Sequence, residues 1–198
     1  WNTGIYLNPS SGHTIENNLI QDNVAGIGSD GISNVTIQFN TFTDNTEGFG
    51  ASAVGANVKA HFNDFINNDA AINHYGGAND IEARANWYGD ASGPDNAGPG
   101  TGDDVSTDVI FCPWLDNVQG TGQLTRGSAG LVYTSNDPLP YCTIQAAIDA
   151  SVNGNTVSAT PGTYNESPNV NKSVLLTSTG GRDVTEIMLQ TGPTYLGA

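Results

Sequence analysis

Five aspartates, Asp90, Asp95, Asp103, Asp104 and Asp108, fall within a glycine-rich stretch, and hard oxygen donors on such a loop suit calcium. Their spacing matches no EF-hand, so a solvated acidic loop accounts for them equally well. Calcium is the one cofactor the sequence suggests. A second acidic column, Asp22 and Asp44 followed by Asn67, recurs at a constant interval. Hydrolysis of a glycosidic bond needs two carboxyl groups about 5–10 Å apart, whereas a carboxylate beside each turn reads as a solvated ladder. The cations Lys59, Arg84, Arg126, Lys172 and Arg182 are scattered singly, without the basic cluster that an eliminating enzyme requires. His61, His74 and Arg84 fall on successive repeats and read as separate surface side chains. Trp87, Tyr88 and Trp114 could stack on sugar rings, although aromatic residues at this point more commonly plug a core. No residue is assigned a catalytic role.

The elements that carry these residues repeat. His13–Ile27, Thr36–Phe49 and Lys59–Ile72 superpose, and a fourth copy begins at Glu82 and breaks off after Trp87. The aligned columns are Ile15/Ile37/Ala60/Ala83, at offsets of 22, 23 and 23, with Ile20/Phe42/Phe65 and Ile5/Ile27/Phe49/Ile72. A constant period of this length is the mark of a solenoid. Within each copy apolar and polar residues alternate over short runs, which is strand periodicity, and no helical stripe interrupts them. Asn18/Asn40/Asn63/Asn86 and Asn23/Asn45/Asn68 fall at the turns. Stacked asparagines hydrogen-bond from coil to coil, and asparagine tolerates a left-handed corner. The expected fold is all-β: a right-handed parallel β-helix with coils of about 22–23 residues and a short capping helix.

With 5 Lys+Arg against 20 Asp+Glu the net charge is −15. Such a field repels nucleic acid and anionic membranes. No apolar run is long enough to span a bilayer, and Trp1 reads as a mature or excised terminus. Cys112 and Cys142 lie in no metal-ligand spacing; a disulfide is expected, because each flanks one end of the intervening linker and other signs suggest secretion. The sequons at Asn34, Asn165 and Asn171 are compatible with glycosylation and an extracellular or cell-surface location.

Residues 116–140 have a Gly/Ser-rich linker composition, with one short strand expected at Leu131–Tyr133. Beyond them, Thr143–Ser151 places Ile144, Ala147, Ile148 and Ser151 on one helical face. The run from Tyr141 to Ala150, with Gly154–Val157, Pro161–Glu166 and Asn171–Val174, resembles the opening of pectin-methylesterase-like and related β-helix domains. Residues 13–115, ending in Asn86–Pro94 and Phe111–Leu115, resemble the closing part of right-handed parallel β-helix domains of large prokaryotic surface proteins. The resemblance implies the fold. The methylesterase family's Asp pair, Gln residues and Arg have no recognisable match here, so no esterase activity follows from it.

The parts therefore stand in an unusual order. Residues 1–115 read as closing coils, 116–140 as a linker, and 141–198 as the capping helix and opening coils of a next β-helix. Trp1 enters partway round a coil, and residue 198 of one copy joined to residue 1 of another would restore the ordinary order. The expected function is a non-catalytic structural subunit of an extracellular filament, sheath or surface array, self-assembling head to tail with copies of itself by β-augmentation. The alternatives are a carbohydrate-active β-helix enzyme (lyase, hydrolase or esterase) or a sugar-binding adhesin with polysaccharide as partner.

Overall fold

The computed structural model describes residues 2–127 and 129–188, divided into two compact units between Leu124 and Thr125. In the first unit successive coils feed three parallel sheets of six, five and three strands. The largest runs Thr3–Leu7, Ala25–Asp30, Glu47–Ser52, Ala70–His74, Gly102–Val105 and Pro94–Asn96 in spatial order. The second sheet is formed by Thr14–Glu16, Val35–Gln38, Val58–His61, Ile81–Glu82 and Val109–Ile110. Leu19–Gln21, Thr41–Thr43 and Asp64–Ile66 form the third. The register pairs Ile15 with Ile37 and Ile37 with Ala60, Ile20 with Phe42 and Phe42 with Phe65, and Ile5, Ile27, Phe49 and Ile72 in series. These are the columns the repeat predicts.

Like residues stack along the axis because the coils are one strand spacing apart, about 4.8 Å. Phe42 and Phe65 stack at 4.9 Å between centroids, and Phe65 stacks on Tyr88 at 5.7 Å. The core is dense beside them. A Cβ added to Gly48 would sit 2.7 Å from Ala71 O and 2.7 Å from Phe65 Cδ1. Tyr88 and Trp114 are buried, so both plug the core, while Trp87 is half-buried.

The corners correct one expectation. At the two ladder corners the left-handed residues are Asn17, Phe39, Phe62 and Ala85, and Asp22, Asp44 and Asn67, all with φ between 54° and 63°. Each sits immediately before a ladder asparagine. The ladder residues themselves are spared the left-handed conformation and turn their amides inward. Asn40 Oδ1 accepts from the backbone N and Nδ2 of Asn18, and Asn40 Nδ2 donates to Asn63 Oδ1 at 3.1 Å and to Ile15 O at 2.9 Å. The same pattern runs from Asn63 to Asn86 and from Asn23 through Asn45 to Asn68.

In the second unit Thr156–Ala159 pairs in parallel with Leu175–Ser178, and Gly162–Asn165 with Thr185–Met188. The helix α1, Ile144–Ala150, lays Ile144, Ala147 and Ile148 on a small core with Val132, Val157 and Tyr164. The segment read as linker is not all irregular. Val132–Thr134 and Asp137–Tyr141 form an antiparallel pair, and Val132–Thr134 also pairs antiparallel with Thr156–Ala159. The expected junction through Trp1 and residues 189–198 lies outside the described residues. Among those described, no helix is long and apolar enough to cross a membrane.

Candidate functional site

The outward face of the second sheet gathers charge that the sequence shows only as scattered residues. Lys59 pairs with Glu82, and His61 lies beside Gln38 in register. Lys59 Nζ is 3.6 Å from Glu82 Oε2, and His61 Nε2 is 3.0 Å from Glu82 Oε1. Arg84 Nε donates to the same Oε1 at 2.7 Å, and its Nη2 also contacts it. Two of the chain's 5 Lys+Arg thus converge on one carboxylate. Arg84 is only 3 % exposed, so its charge is committed to the protein, whereas Lys59 stands at the rim. Gln38 Nε2 extends the row by donating to Glu16 Oε2 at 2.7 Å.

Burial pushes the Glu82 carboxyl up, but His61 and then Arg84 outweigh it and hold the group at about 2. Glu82 is therefore an anion at any ordinary pH. It can accept hydrogen bonds from hydroxyl or ammonium groups, but it is a poor proton donor, because a general acid needs a pKa near the working pH. A groove of about 430 Å³ opens beside it, lined by Asn57, Lys59, Asn79, Asp80, Glu82 and Ile110. With Val58, Ala78 and Ile110 as its apolar part, that lining can recognise hydrogen-bonding ligands.

The acidic loop does not gather its carboxylates. Asp90 Oδ1 accepts from Ser92 N and Oγ, and Asp95 Oδ1 accepts from Asn96 N. Asp103 Oδ2 accepts from Asn68, and Asp108 Oδ2 lies 3.7 Å from the buried His74 Nδ1. Burial, then repulsion from Asp95 and Asp69, raises the Asp104 carboxyl. Among the described residues no three His, Cys, Asp or Glu side chains converge on a point that could hold a metal ion. Asp90 and Asp95 are taken up by turns and Asp103 by the ladder.

Asp22 and Asp44 are exposed corner residues, each accepting from its sequence neighbour, Gln21 or Thr43. Cys112 and Cys142 are disulfide-bonded. The sequon asparagines Asn34, Asn165 and Asn171 are all exposed, and Asn34 Oδ1 accepts from Asn57 Nδ2 at 2.9 Å.

Sequence reasoning paired neither Lys59 nor Glu82 with the others. The signal was present in the offset of 23: it carries Lys59 to Glu82 and His61 to Arg84, as surely as it carries Ala60 to Ala83. Outward positions keep that register without a shared residue type, so the column is not obvious there.

No curated protein and no solved structure matches the chain. Residues 1–88 match the family model described as the right handed beta helix region, and with their parallel coils they form a β-helix repeat domain of that kind.

Proposed function

We propose that this chain is a non-catalytic structural unit of an extracellular filament, sheath or surface array, in which β-helices follow one another head to tail. The observation that carries the reading is order along the chain. Coils closed by Tyr88 and Trp114 are followed by a helix-capped stack that starts afresh in parallel strands. Ile187, register partner of the buried Tyr164 on the last described strand, is an exposed apolar residue of the kind a further coil covers. A solenoid coil offers its open strand edge to the next coil whether that coil comes from the same chain or from a second copy. Contacts of this head-to-tail kind do not close and so build filaments. The disulfide suits an oxidising, extracellular setting.

Electron microscopy of the purified protein, with light scattering across a concentration series, tests this. Concentration-dependent rods or chains are expected. Persistent monomers would replace it with the second reading, a carbohydrate-active enzyme if they cleave a polysaccharide or a sugar-binding adhesin if they only bind one; the hydrogen-bonding lining of the Glu82 groove suits the adhesin.

A further inference from the structure

The outer face of the largest sheet carries two glycines with no backbone reason to be there. Gly28 and Gly50 are register partners on adjacent coils, flanked by Tyr6 on one side and Asn73 on the other. Neither has a left-handed φ, and both point outward, away from the core. Tyrosine rings share that space with the Thr3 methyl, 3.1 Å from a Cβ on Gly28, and with the Glu47 carboxylate. A Cβ on Gly50 would lie 3.4 Å from Tyr75 Cε2 and 2.5 Å from Glu47 Oε2, and one on Gly28 would lie 3.6 Å from Tyr6 Cδ2. The tyrosines thus lean over a glycine floor, yet Tyr6 is 53 % and Tyr75 62 % exposed.

Tyr75 is also held in place. Its hydroxyl donates to the Glu47 carboxylate, and Asn73 Nδ2 donates to Glu47 Oε1 at 3.0 Å and to the Tyr75 hydroxyl at 3.3 Å. The face therefore sets two open aromatic rings three coils apart, roughly 14 Å at about 4.8 Å per coil, with fixed hydrogen-bonding groups beside the second. That is the chemistry of a pyranose: apolar C–H faces that stack on a ring, edged by hydroxyls. A net charge of −15 and the Glu47 carboxylate at the platform disfavour a polyanionic glycan.

We propose that this face binds neutral glycan chains by stacking on Tyr6 and Tyr75, with Glu47 and Asn73 taking the hydroxyls. The surface is separate from the Glu82 groove and does not depend on how successive β-helices join. The test is calorimetric titration of the whole chain with cello-oligosaccharides and N-acetylated chito-oligosaccharides, with polygalacturonate as the anionic comparison. Binding of a neutral oligosaccharide is expected, weakened by about tenfold or more in Tyr75→Ala and in Tyr6→Ala, and nearly retained in Tyr75→Phe. Gly50→Val, which fills the floor, should weaken it as well. Thermal melts of the exposed-site variants Tyr6→Ala and Tyr75→Ala establish that each is folded. The proposal is overturned by absence of neutral-glycan binding, by binding indifferent to both tyrosines, by a preference for polygalacturonate, or by Tyr75-dependent self-association without glycan.

Discussion

Asp103 stands where the next asparagine of a ladder belongs. Its Oδ2 accepts from the backbone N of Asn68 at 2.9 Å and from Asn68 Nδ2 at 2.6 Å, the same two donors that Asn68 Oδ1 accepts from Asn45. A carboxylate can close the row because it is acceptor-only, and nothing further needs a donor.

Closing the row with a charge is costly. Burial raises the Asp103 carboxyl above its unfolded 3.8, and the hydrogen bonds from Asn68 do not fully offset it. A raised folded pKa means stability from this group is greatest at low pH and falls as pH rises through the folded value. Asp103→Asn keeps the acceptor and removes the buried charge. It should raise the melting temperature at neutral pH by about 2–4 °C, the equivalent of roughly 1 kcal/mol. The gain should shrink as the pH is lowered toward 4. A lower melting temperature at pH 7 would mean the charge strengthens the Asn68 bonds more than burial weakens them.

Inside the ladder the sign reverses. Asn63 is fully buried; its Oδ1 accepts from Asn40 N and Nδ2, and its Nδ2 donates to Ile37 O, His61 O and Asn86 Oδ1. Asn63→Ala leaves several of these groups unsatisfied away from water and should cost about 3 kcal/mol or more in urea denaturation. Asn18→Ala, on the exposed first coil, should cost well under half as much. Equal losses at the two positions would show that the ladder's strength does not come from burial.

Repeat, ladder and cap were legible because burial forces like residues into columns, and the capping helix shows its apolar face at Ile144, Ala147 and Ile148. Three features were hidden for physical reasons. Outward residues such as Lys59 and Glu82 obey the same register but need not resemble each other, so no pattern advertises them. Asp103 joins the ladder 35 residues after Asn68, because the excursion through residues 89–102 interrupts the 23-residue period. Gly28 and Gly50 look like turn residues in sequence, and only the sheet register reveals them as a floor.

Glu82 offers a pH test. Its carboxyl falls from an unfolded 4.5 to about 2, so its contribution is complete above pH 4.5 and is lost as pH drops toward 2. Glu82→Gln removes the counter-charge of Lys59 and Arg84 beside His61. At pH 7 it should cost about 2 kcal/mol after allowance for solvent screening at this half-buried site. The difference from the unmodified chain should close as pH approaches 2. A difference constant from pH 7 to pH 2 would assign the loss to packing rather than charge.

In the second unit Glu166 reaches the start of α1 from the strand region beyond it. Its two oxygens accept from Ile144 N at 2.8 Å and Gln145 N at 2.9 Å, while Thr143 Oγ1 takes Ala146 N at 3.0 Å. Three otherwise orphaned N–H groups are thereby satisfied, two of them by a charge placed at the positive end of the helix. For a helix of seven residues this matters, because so short a segment is not stable by propensity alone. Glu166→Ala should cost about 1–2 kcal/mol, and Glu166→Gln roughly half of that, since one amide oxygen remains to accept. Hydrogen exchange at residues 144–150 reads the effect locally, and faster exchange there is expected before any change in the first unit's coils. If exchange at Ile144 and Gln145 is unchanged in Glu166→Ala, the helix is held by Ile144, Ala147 and Ile148 against Val157 and Tyr164, and the carboxylate only decorates it.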